Sequence, residues 1–238
     1  MTVSIRDLRP GDPADAEAVV RVRHRALPFL LHTAEGVAFE LASAHPAQRC
    51  RLLVAETEGG HVIGAARVGI AHDSPEPGRS KADVHVDPAH RGLGAGGLLL
   101  RTAETYLAAQ GAVETYAWVL DEPAHRAFAE RRGHRPGRSS HFLRLDLAEA
   151  ALPPLPEVLP AGVEIRPGSA FAADPRPLFA ADAETTSDEP GDVGTEFDDA
   201  AGYTEALTGN RPMLAVNRRL GYEICATETR YAKELETT

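Results

Sequence analysis

The sequence predicts an α/β (α+β) fold, a sheet flanked by helices, and three observations carry that prediction. Runs rich in β-formers alternate with stretches of helical period along the first 150 residues. A glycine-rich turn, Arg91 to Gly97, leads from one such run into a helix. Beyond a proline-rich stretch the chain begins to echo its own opening.

The elements follow in order. Val3 to Leu8 reads as an opening strand, and Pro10-Gly11-Asp12 turns the chain into a helix over Ala14 to Leu27. There Ala18, Val19, Val22 and Ala26 recur at helical spacing. Glu35 to Ala44 is a second helix that ends before Pro46. Arg51 to Glu56 and His61 to Ile70 form a hairpin around Glu58-Gly59-Gly60. Ser74 to Arg79 is a loop, and Ala82 to Val86 a strand that stops at Asp87-Pro88. The next helix runs from about Gly97 to Ala109. Its Leu99, Ala103, Tyr106 and Leu107 share a face, so it should pack on a sheet. Val113 to Leu120 is a strand, Ala124 to Arg132 a helix closed by Gly133, and Ser140 to Leu147 a last strand. Leu152-Pro153-Pro154-Leu155-Pro156 then reads as a linker.

Composition narrows the function. With 238 residues, 43% hydrophobic and 25% charged, the chain is long enough for one large core or two modest ones. A net charge of −10 argues against nucleic acid and anionic lipid as partners. Two cysteines, Cys50 and Cys225, form neither a disulfide framework nor a metal-ligand cluster, so no metal is expected. Arg6, Asp7 and Arg9 interrupt the first apolar stretch, and no run is long enough to cross a membrane. A soluble, cytoplasmic protein is expected. The sequence leaves the oligomeric state open, a homodimer included.

The echo divides the chain. Val3-x-Ile5-Arg6 with Pro10-Gly11 returns as Val163-x-Ile165-Arg166 with Pro167-Gly168, and Phe128 to Gly133 returns as Val216 to Gly221. Ile5 to Ile165 is an offset of 160, whereas Gly133 to Gly221 is one of 88, so the second copy is shorter by 72 residues. What it lacks corresponds to residues 48 to 119, with the junction between Leu207 and Thr208. The expected organisation is a first domain over 1–150, a linker over 151–160 and a truncated second copy over 161–238.

The chemistry concentrates in Val84-His85-Val86-Asp87-Pro88-Ala89-His90-Arg91-Gly92-Leu93-Gly94-Ala95-Gly96-Gly97. Glycines at 92, 94 and 96 remove the Cβ atoms that would hold phosphate oxygens away, and the helix that begins there presents free N–H groups and a positive dipole end. Gly92, Gly94 and Gly97 also fit a dinucleotide fingerprint with Asp121 as a ribose partner, but Asp87 to Arg91 intervene between strand and glycines. A nucleoside triphosphate loop fails, because no Lys-Ser or Lys-Thr follows. A purely structural glycine turn is the remaining alternative.

Arg91-x-x-Gly94-x-Gly96, following a strand that ends near a proline, resembles the signature of the GNAT superfamily of N-acetyltransferases. The segment Asn210 to Tyr222 resembles two-copy bacterial members of the mycothiol synthase type. The resemblance implies a mixed, mostly antiparallel central sheet and acetyl-coenzyme A as cosubstrate. It implies that Arg91, Gly92, Leu93, Gly94, Ala95 and Gly96 hold the pyrophosphate, while Val84, His85 and Val86 pair by backbone with the pantetheine arm. The truncated copy lacks a counterpart of this loop, so the first domain alone should bind the coenzyme.

Acetyl transfer to an amine requires the neutral amine, and a lysine-like amine with a pKa of about 10.4 is mostly protonated at neutral pH. Asp83 and His85, two residues apart on one strand face, could accept that proton directly or through water. His85 is preferred for its ordinary pKa of about 6.5. Both could equally be solvated or paired strand residues. Many family members carry a tyrosine four residues before the glycine that ends the following helix; here that position is Ala129, and Asn217 in the second copy. The expected function is acetyl transfer to a primary amine of a small molecule or peptide, the alternative being a coenzyme-A-binding sensor or scaffold without turnover.

Overall fold

The computed structural model describes residues 2–72, 74, 76–150, 152, 158–178, 180–181 and 217–236. The chain opens with β1, Val3–Asp7, and α1, Pro13–Ala26. Asp12 caps α1 by accepting from the Ala14 N–H at 3.0 Å, Pro13 fills a first-turn position that needs no donor, and Arg23, His24 and Arg25 complement the dipole at its far end. In α2, Ala34–Ala42, the Thr33 hydroxyl accepts from the Gly36 N–H at 3.0 Å.

β2, Arg51–Thr57, and β3, Val62–Ile70, form the expected hairpin, with a register shift between Ala55 and Glu56. β4 covers Arg79–Val86. It begins three residues before the expected Ala82, because Arg79, Ser80 and Lys81 pair with a later strand and Ser80 and Lys81 also with β3. α3, Ala95–Ala109, β5, Glu114–Leu120, and α4, Pro123–Glu130, follow close to their expected places. β6 runs over Arg135–Arg144. Its start precedes the expected Ser140 because Pro136 and Gly137 are tolerated in a strand that lies last in the sheet.

β7, Glu223–Glu234, completes a seven-stranded sheet of order β1-β2-β3-β4-β5-β7-β6. β1 to β4 are joined antiparallel, β4 and β5 are parallel, and β5 pairs antiparallel with β7 from Glu114↔Glu234 to Leu120↔Glu228. The mostly antiparallel mixed sheet implied by the resemblance is therefore present. α3 covers one face, where Leu99, Ala103 and Leu107 pack on Leu53, Ala66, Val68 and Ala82. The α1–α2 face is sealed by Val19, Val22 and Val37 against Leu52, Val54 and Ala65.

One compact unit comprises residues 1–138 with 227–238, the other residues 139–226. The opening strand expected at Val163 to Arg166 forms no described strand; Val163 and Ile165 are exposed. In the echo over Val216 to Gly221, residues 217–219 are helical, and residue 216 and the Leu207–Thr208 junction lie outside the described residues. Among the described residues no helix is long and apolar enough to cross a membrane, and no group of three or more His, Cys, Asp or Glu side chains is placed to hold a metal ion.

Candidate active site

Parallel pairing between β4 and β5 stops after three residues, Arg79–Lys81 against Glu114–Tyr116. β4 continues to Val86, held by β3 alone, so its outer edge borders a gap in the sheet. The Asp87 N–H donates to the Ile63 carbonyl at 2.9 Å. Bonding to a given neighbour alternates along an antiparallel strand, so Asp83, His85 and Asp87 bond toward β3. The N–H and C=O groups of Val84 and Val86 consequently turn toward the gap. An extended ligand with amide groups can complete them as an added strand would.

The glycine-rich turn lies at the end of this edge. Asp87 is buried and accepts from the Ala89 N–H at 3.0 Å and from Arg25 at 2.6 Å, which starts a short 3-10 turn over Pro88–His90. These bonds hold its carboxyl below the usual range against a burial that would raise it. Gly92 and Gly94 then adopt φ of +82° and +86°, with nothing within 4 Å of where a Cβ would stand. Gly94 caps α3 without any side-chain bond, and the first helical bond is Leu98 N–H to the Gly94 carbonyl at 3.0 Å. The N–H groups of Ala95, Gly96 and Gly97 therefore have no helical acceptor.

Gly96 and Gly97 serve a different purpose from Gly92 and Gly94. A Cβ at Gly96 would stand 3.3 Å from the Phe128 ring, and one at Gly97 3.0 Å from the Arg132 guanidinium and 3.4 Å from that of Arg101. Arg132 lies over the Phe128 ring, 3.6 Å from its centroid. The turn is thus an open, donor-lined cradle beside two cationic side chains, built to receive an anion.

On the other face of β4, Lys81, Asp83 and His85 project toward α1 and α2, since Ala82, Val84 and Val86 pack with α3. Lys81 pairs with Asp83 at 3.1 Å. Burial draws the His85 imidazole down to a pKa of about 4, with Arg23, His32 and Lys81 adding to the effect and Asp83 opposing it. The ordinary pKa that favoured His85 in the sequence is thus not the one it has in the fold. Asp83 and His85 do share a face.

Sequence reasoning overlooked the groups around them. Buried Arg23 of α1 donates to both oxygens of Glu40 in α2, at 3.0 and 3.1 Å. Arg67 of β3 approaches the same carboxylate at 3.9 Å and sits directly opposite Asp83. Its Nε is buried without a hydrogen-bond partner, as is Nε2 of His32. One signal was available: Arg67 is the single charge in Val62–Ile70. At Ala129 the backbone offers no hydroxyl, and its side chain is buried.

Residues 18–134 match the family model described as the Acetyltransferase (GNAT) family. Two mycothiol acetyltransferases are similar over part of the chain. That of Frankia alni is 36% identical over 145 residues, which cover 59% of this chain and 40% of the relative. That of Rhodococcus jostii is 34% identical over 128 residues, covering 52% of this chain and 38% of the relative. The chain thus spans about two fifths of the length of these curated relatives. A tandem GNAT protein from the clavulanic acid biosynthesis pathway, solved without acetyl-coenzyme A, superposes over 100% of both chains with a TM-score of 0.68 at 18% identity, a likeness of fold.

Proposed function

Because residues 18–134 form a domain of the GNAT acetyltransferase family, we propose that the chain moves an acetyl group from acetyl-coenzyme A to a primary amine of a small molecule or peptide. The single observation that carries this reading is the continuity between the gap beside β4 and the glycine cradle. An elongated ligand with an amide-bearing arm and a pyrophosphate fits both ends at once.

In this reading Arg91 to Gly96 receive the pyrophosphate on backbone N–H groups, and Val84 and Val86 bond the pantetheine amides. The amine nitrogen attacks the thioester carbonyl carbon, the C–N bond forms, and a β4 N–H facing the gap stabilises the oxyanion. As the C–S bond breaks, the thiolate leaves and takes a proton from solvent. Its pKa of about 8.5 makes it a fair leaving group without the tyrosine that Ala129 replaces. Asp83 or His85 accepts the amine proton, directly or through water. With its pKa drawn down to about 4 the His85 imidazole is neutral but weakly basic at pH 7, which favours the route through water.

The cysteines are free, in keeping with a reducing, bacterial cytoplasm. We also retain the sequence division as a proposal, with a second copy over 161–238 that does not bind the coenzyme.

Two measurements test the assignment. Coenzyme A should raise the melting temperature, since ligand at 100 times its dissociation constant adds about 2.7 kcal/mol. Gly94→Val should abolish that shift, because a β-branched residue strains at φ +86° and fills the cradle. A folded Gly94→Val protein that binds coenzyme A normally places the site elsewhere. Free thiol should appear when acetyl-coenzyme A is mixed with an amine library; saturable binding without thiol from any amine would make the chain a sensor or scaffold.

A further inference from the structure

The face of β3 and β4 under α1 and α2 carries more positive than negative charge. Arg23 and Arg67 share the one Glu40 carboxylate, which Arg23 already occupies with two hydrogen bonds. Asp83, opposite Arg67 in the register of β3 and β4, is paired with Lys81. Two ion pairs are thereby complete, and one guanidinium, Arg67, is left in excess. Its Nε is buried and donates to nothing, while about a third of its side chain remains open to the outside. The two histidines of this group add no further charge, since burial lowers the pKa of both His32 and His85.

A partly desolvated guanidinium held only by a shared carboxylate 3.9 Å away is costly, and a planar oxyanion reduces that cost by accepting from the exposed N–H groups of Arg67. Arg67 lies on β3 directly opposite Asp83, one strand away from the edge of β4 that borders the gap. An acceptor whose anionic group meets Arg67 can extend across β4 and bring its amine past Asp83 and His85 toward the thioester.

We infer that the acceptor is an amine that also carries a carboxylate, an amino-acid-like molecule rather than a polyamine or aminoglycoside, and that Arg67 selects it. The inference rests on the acetyl-transfer reading above. It runs against the simplest expectation from the overall charge of −10, which would favour a purely cationic acceptor. Local charge at the site outweighs the distant surface because screening removes most interactions beyond about 8–10 Å.

The test uses the full chain with amines matched to their decarboxylated counterparts: lysine with cadaverine, ornithine with putrescine, tyrosine with tyramine, and phenylalanine with phenethylamine. Thiol release from acetyl-coenzyme A gives kcat and KM for each. The carboxylate member of at least one pair should be favoured in kcat/KM by about tenfold or more, the discrimination expected of a charge-assisted fork. In Arg67→Gln that ratio should collapse toward one, chiefly through KM, and Arg67→Lys should restore part of it. The thermal shift with coenzyme A reports that each variant is folded. Equal use of both members by the unaltered protein, or a preference that survives Arg67→Gln, overturns the inference while leaving acetyl transfer intact. If no amine releases thiol, the acetyl-transfer reading fails instead, and calorimetric binding of the same pairs to the coenzyme A complex decides. Carboxylate-selective binding lost in Arg67→Gln supports the role of Arg67, and its absence overturns it.

Discussion

His85 shows how a strand position acquires chemical character that its residue type does not announce. Its spacing from Asp83 puts both on one face, and that much follows from a period of two. Its pKa depends instead on α1 and on the loop before α2, which bring Arg23 and His32 close and strip away water. No local pattern in the sequence encodes those neighbours. A depressed histidine binds fewer protons folded than unfolded, so its stabilising effect is present above about pH 6.5 and is lost as pH falls toward 4. His32, His125 and His134 are shifted the same way and share in the loss. His85→Gln should therefore lose less stability than the unaltered chain between pH 7 and 4.5 in urea titrations. Identical pH dependence in the two proteins would show that His85 is freely solvated. At Arg91 to Gly96 the opposite holds, for two positive-φ glycines and a missing cap can be inferred from residue types alone. Arg67 lies between these cases, visible as a lone charge but unassignable until Glu40 is placed beside it.

Among the elements, β7 departs furthest from what local sequence reveals. Nothing in its local sequence specifies that it lies between β5 and β6. Long-range pairing is set by which apolar faces remain uncovered, a property of the assembled sheet. Tyr231 is nearly fully buried, and its hydroxyl donates to Glu130 at 3.1 Å. Lys233 reaches Glu104 of α3 at 2.8 Å. Tyr231→Ala should cost about 3–5 kcal/mol, as for other buried aromatic residues. A chain ending before Glu223 should lose cooperative melting, because β5 would present an open edge beside the site. A sharp thermal transition in that truncated chain, at the original temperature, would show that β7 is dispensable. The early start of β4 has the same origin as the placement of β7: Arg79 to Lys81 read as the end of a loop until β5 lies alongside.

At the scale of the whole molecule, the sheet draws its strands from both ends of the sequence. The internal echo implied a shortened second copy, and β7, which falls within the stretch assigned to it, pairs with β5. Protein synthesis imposes a schedule on this arrangement. The strands from β1 to β6 emerge in order, but 78 residues, 145–222, must be translated before β7 follows. At about 5–20 residues per second that interval lasts roughly 4–16 s. During it β5 has no partner on the side that β7 will take, although the glycine cradle and the whole of β4 have already left the ribosome. The proposed coenzyme site is therefore made early and finished late, and a nascent chain spends seconds with an adhesive edge until β7 covers it.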